Sequence, residues 1–72
     1  MKIIIIKQVE SAYWLDNGVL ITAPLSNDNT FDTNEGYEVE KDLIGSEPLP
    51  EPYYRAKTFG QLYNIIEKEL TN

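Results

Sequence analysis

Cysteine and histidine are both absent from this sequence of 72 residues. Without cysteine there are no disulfides, which excludes the cross-linked scaffold of many small secreted domains. Without either residue, a zinc site would have to be built from carboxylates alone, which is atypical. Catalysis loses its commonest general base and its best thiol nucleophile. Long apolar runs are missing too. Ile3–Ile6 is a run of four, closed by Lys7. That is far short of a signal-peptide core and of the roughly 20 apolar residues that cross a bilayer. The expectation is a cytoplasmic protein with no signal peptide and no membrane span.

A chain of this length makes one domain, residues 1–72. Domains this small bury only about 60% of the surface their unfolded chains expose, and usually add a disulfide or a structural metal. A disulfide is impossible here and a zinc site would be atypical, so the core must suffice by itself or be completed by a partner chain. Eight isoleucines, five tyrosines and Trp14 are the main stock for it.

Twelve acidic and six basic residues give a net charge of −6, unevenly spread. Asp28 to Glu51 holds eight acids (Asp28, Asp32, Glu35, Glu38, Glu40, Asp42, Glu47, Glu51) against Lys41 alone, a local charge of −7. The rest of the chain, with five bases and four acids, carries +1. Such asymmetry marks either a solvated face or an interaction surface. It argues against direct contact with nucleic acid or an anionic membrane, because both need a positive surface.

Lys2–Val9 reads as the first strand, since β-branched isoleucines suit a pleated sheet better than a helix. Apolar residues at consecutive positions place it centrally, buried on both faces. After a break at Glu10 and Ser11, Tyr13–Asp16 and Val19–Ala23 flank Asn17-Gly18. That dipeptide suits a type I′ hairpin turn, which needs positive φ at both central residues. A two-residue loop sets Asp16 opposite Val19, Leu15 opposite Leu20, Trp14 opposite Ile21 and Tyr13 opposite Thr22. Trp14 and Ile21 then share one face, Leu15 and Leu20 the other. Pro24 ends the strand because it cannot donate to a ladder.

Ser26–Asn34 is a polar loop of turn formers, with Phe31 as its apolar anchor. Over Tyr37–Asp42, Tyr37, Val39 and Lys41 alternate with Glu38, Glu40 and Asp42, the period of an edge strand. Helix competes there, since Glu, Lys and Leu are good helix formers. Pro48, Pro50 and Pro52 make Gly45–Pro52 an extended, polyproline-like crossing that cannot be helix or inner strand. The last element is a helix. Thr58 and Gln61 form a capping box, and Phe59, Leu62, Tyr63, Ile66 and Leu70 mark one face, with Glu67, Lys68 and Glu69 solvated. The fold class is α+β: a small, mainly antiparallel sheet of three or four strands with one C-terminal helix packed on a face.

Few residues point to chemistry. Ser11, Ser26 and Ser46 lie in no nucleophile-elbow context, and there is no glycine-rich phosphate loop. Twelve acids make carboxylate pairs by chance. Asp28, Thr30, Asp32 and Asn34 fit the first four ligand positions of a calcium loop, but Thr33 stands where glycine is required and Val39 where glutamate is. The prolines are two apart, so the PxxP ligand pattern fails. Adjacent Tyr53 and Tyr54 cannot both point inward along an extended chain, so one faces solvent as a candidate contact residue. No catalytic, cofactor-binding or metal-binding residue is assigned, and an enzyme is not expected.

The expected function is that of a small acidic interaction domain that binds or inhibits a protein with a basic site. Its partner-binding residues would be Asp28, Asp32, Glu35, Glu38, Glu40 and Asp42, with Tyr53 or Tyr54 as an aromatic anchor. In size and acidity the chain resembles the small accessory and inhibitor proteins that bacteriophages encode. Two alternatives stand beside this. One is a self-assembling subunit, possible as a homodimer, in which the apolar first strand is completed across an interface. The other is nucleic-acid mimicry. DNA carries a charge per about 1.7 Å of axis, whereas alternate residues on a strand lie about 6.6–6.8 Å apart. Glu38, Glu40 and Asp42 alone are therefore about fourfold too sparse, and mimicry needs the loop acids, or a second copy of the chain, beside them.

Overall fold

The computed structural model describes all residues, Met1–Asn72. Ile4–Ile6 (β1), Ser11–Asp16 (β2), Val19–Pro24 (β3) and Tyr37–Glu38 (β4) form an antiparallel sheet in the order β1-β2-β3-β4. Lys41–Ile44 (α1) is a single helical turn. Pro48–Tyr53 (β5) and Ala56–Thr58 (β6) make a separate two-stranded sheet, and Phe59–Thr71 (α2) closes the chain. The fold is α+β, with the C-terminal helix packed on the sheet as expected.

The hairpin registers as the turn chemistry requires. Asn17 and Gly18 have φ of 51° and 80°, and Tyr13–Asp16 pairs with Val19–Thr22 residue for residue as the loop length dictates. One face, carrying Ile4, Ile6, Tyr13, Leu15 and Leu20, packs with Leu62, Tyr63 and Ile66 of α2 and with Leu49 and Ala56 of the small sheet. The other face holds Ala12, Trp14, Ile21 and Ala23. It is covered by the loop after β3: Phe31 stacks on Trp14 at 5.6 Å, which is how it anchors the loop.

Several expectations need correction. The first strand is Ile4–Ile6 rather than Lys2–Val9, because Lys7–Val9 winds into a 3₁₀ turn ended by Glu10 in the left-handed region (φ 52°). It is an edge strand, not a central one. Ile4 and Ile6 pack into the core beneath α2, whereas Ile5 on the opposite face is 45% exposed. The Tyr37–Asp42 strand stops at Glu38, and Lys41–Ile44 is helical. Of the Gly45–Pro52 stretch expected to be extended, residues 45–47 turn after α1 and only Pro48 onward is extended; that strand pairs with β6 in a hairpin the sequence did not signal. Glu67 is half-buried rather than solvated, and it pairs with Lys41.

Helix α2 starts where its cap places it. Thr58 Oγ1 accepts from Gln61 N–H at 3.3 Å. Gln61 Oε1 returns the bond one residue early, to Lys57 N–H at 2.7 Å rather than to Thr58. Gly60 explains itself through α1: its N–H donates to Gly45 C=O at 2.8 Å, so the chain after α1 lies directly on the first turn of α2. A Cβ on Gly60 would meet that carbonyl oxygen at 2.8 Å.

This contact yields a test with opposed signs. Helix propensity alone makes Gly60→Ala stabilising by up to about 1 kcal/mol. Close backbone contact makes it destabilising, by about 1–3 kcal/mol if it behaves as overpacking. We expect the second, read as a lower urea midpoint than native at an unchanged m-value.

Candidate functional site

The site is built where the sheet ends. Val39 N–H donates to Leu20 C=O at 3.0 Å, extending the β3–β4 ladder by one bond, and the Val39 side chain is buried in the main core. The next residue leaves the ladder. Glu40 C=O accepts from Leu43 N–H and Ile44 N–H, both at 3.2 Å, so strand passes straight into α1. The Lys41 ammonium pairs with the Glu67 carboxylate of α2, tying α1 to the long helix.

Glu38, Glu40 and Asp42 thus come from a strand, a junction and a helix, yet line one open groove of about 770 Å³ with Glu67. Exposed Tyr37 (61%) and Leu43 (70%) line it with them. Val19 and Leu20 of the hairpin complete its apolar part. The one ion pair of the chain removes Lys41 and Glu67 from the balance, leaving three carboxylates without a basic partner. Carboxylates without a basic partner in one open groove favour an incoming cation.

The other sequence-selected residues lie elsewhere. Asp32 and Glu35 line a second groove of about 320 Å³ with Pro24, Leu25 and Phe31. The two grooves lie at opposite ends of β3, which five strand steps make about 17 Å long. Asp32 Oδ1 accepts from Asn34 N–H at 2.9 Å, capping a 3₁₀ turn at Thr33–Glu35. Asp28 holds its own loop: its Oδ1 accepts from Ser26 Oγ at 2.5 Å, Thr30 Oγ1 at 2.6 Å and Thr30 N–H at 3.3 Å. Glu47 and Glu51 line neither groove. The acidic segment is therefore divided, and the loop acids do not stand beside a strand row of Glu38, Glu40 and Asp42. That row does not exist as a strand, since α1 begins at Lys41.

Tyr53 and Tyr54 sit at the β5–β6 turn, outside both grooves. Tyr53 is half-buried against the main core, and Tyr54 is 72% exposed with its ring edge-on to Tyr53 at 4.6 Å. Tyr54 has φ of 52°, a conformation costly for a bulky residue. The aromatic beside the acids is Tyr37 instead. Its signal was present, a large aromatic opening an acidic, alternating segment. Leu43 carried none, because an apolar residue in a short helical pattern reads as core. Burial raises the phenol pKa values of Tyr13 and Tyr63 beneath the sheet and helix, so both stay neutral and serve packing. No group of three or more acidic side chains is arranged to hold a metal ion, and no helix is long and apolar enough to cross a membrane.

Hydroxyl bonds from Ser26 and then Thr30 hold the Asp28 carboxyl at about 2, below the ordinary aspartate value. A lowered folded-state pKa stabilises above the unfolded value and is lost as pH falls through the folded one. The Ser26–Thr30 turn should therefore persist below pH 4 and open only near pH 2. Trp14 emission reports this, because the loop carries Phe31 onto the indole. Asp28→Ala should shift that emission to the red already at neutral pH. Comparison with protein-family models, curated proteins and solved structures finds no match for this chain, and the groove is read from its own chemistry.

Proposed function

We propose that this chain is a small, non-enzymatic interaction domain of the cytoplasm that captures or inhibits a protein through a basic surface on that partner. The observation that carries the reading is the β4–α1 groove. Glu38, Glu40 and Asp42 are unpaired there beside exposed Tyr37 and Leu43. Carboxylates at a rim speed encounter and select partners by charge. Tyrosine and leucine in the same groove supply the apolar contact that charge alone does not. The complementary surface is amphipathic: lysines or arginines flanking an apolar patch.

Reversing the three acids together (Glu38→Lys, Glu40→Lys, Asp42→Lys) should abolish salt-sensitive capture of basic proteins by the immobilised domain. The amide variant (Glu38→Gln, Glu40→Gln, Asp42→Asn) should weaken it. A control at Glu47 and Glu51, both reversed to Lys, should leave it intact. Equal loss in the control would mean that capture follows net charge rather than the groove, and unchanged capture in the triple reversal would remove the reading.

A further inference from the structure

The sheet has two free edges of opposite character. β1 pairs only with β2, and β4 only with β3, and unpaired edges present backbone groups to another strand. At β4, the Val39 N–H to Leu20 C=O bond makes that pair the hydrogen-bonded one. Ladder alternation then turns the Glu38 N–H and C=O outward, with Glu38 and Glu40 beside them. At β1, the edge is Ile4–Ile6 between Lys2 and Lys7, and Ile5 is 45% exposed. Lys2 donates to Glu69 C=O and Asn72 C=O, which holds its charge at the β1 end of the molecule.

We propose that a second copy of this chain occupies the acidic edge, its lysine-flanked β1 adding as a strand to β4. This rests on the reading of the β4–α1 groove as a site for a basic, partly apolar partner, and it names that partner. Two observations favour this pairing over others. Pairing like with like opposes equal charges: two β4 edges bring Glu38, Glu40 and Asp42 against their copies, and two β1 edges do the same with Lys2 and Lys7. Pairing β1 with β4 opposes unlike charges. Direction also fits. All neighbouring strands are antiparallel, so β1 and β4 run oppositely, and a copy moved sideways along the sheet meets β4 antiparallel. Because strands rotate by about 20–25° each, four strands turn successive copies by roughly 80–100°. The contact is head-to-tail, and such contacts build open chains when the rotation does not close.

Sedimentation velocity of the full chain, from micromolar to millimolar concentration, tests this. At low salt the average mass should at least double across the series, and added salt should reverse the rise. Glu38→Lys with Glu40→Lys should be monomeric, as should Ile5→Glu with Lys7→Glu, each keeping native circular dichroism. Mixed in equal amounts they should form a dimer, since one retains a native β1 and the other a native β4. A native chain monomeric throughout, a native chain that stops at a dimer, or a mixture without dimer overturns the proposal. If self-association fails while the triple acid reversal still abolishes capture of basic proteins, self-pairing falls and the acidic-groove reading stands.

Discussion

The two-residue turn at Asn17-Gly18 decides which side chains of β2 and β3 share a face, and both faces it creates are apolar. A sheet of that kind needs two covers, and this chain has one long helix. α2 and the β5–β6 pair take the face of Tyr13 and Leu20. The other cover is a loop, and a loop covers apolar surface only if its own polar groups are satisfied. Asp28 and Asp32 do that work by accepting hydrogen bonds within the segment that carries Phe31 to Trp14. Gly36 completes the cover because the indole lies where a side chain would stand.

That arrangement also places the acidic groove. After covering the Trp14 face, the chain must reach the helix face, and it does so around the end of the sheet at β4. Val39 is drawn into the core, while Glu40 breaks the ladder to begin α1. Charged residues at such a crossing cannot be buried without partners, so Glu38, Glu40 and Asp42 stay at the surface. α1 is held at both of its ends, by Lys41 to Glu67 and by Gly45 against Gly60. The groove is therefore a by-product of the way the chain changes sides, stiffened by contacts to α2.

Much of this was legible. The hairpin register follows from turn dihedrals that few residues adopt, and α2 from a cap and a 3.6-residue period, both local signals. The edge position of β1 was not legible, since apolar residues on both faces report what lies above and below a strand and nothing of what lies beside it. Residues 37–42 fitted two periods at once. Residues 41–44 are helical where they meet α2, with Lys41 paired to Glu67, 26 residues further on. The β5–β6 hairpin was hidden because Tyr54 occupies the positive-φ position where glycine would have announced a turn.

The sequence by itself determined the register of the central hairpin, the C-terminal helix, the absence of thiol and imidazole chemistry, and a middle third crowded with negative charge. Only the tertiary structure decided which carboxylates gather and which are consumed. It brought Glu38, Glu40 and Asp42 together with Tyr37 and Leu43, spent Asp28 and Asp32 on their own loop, and set Tyr53 and Tyr54 apart. Composition records how much charge a segment carries. Its grouping depends on contacts such as Leu20 with Val39 and Lys41 with Glu67, between residues too distant in the chain for any local pattern to encode.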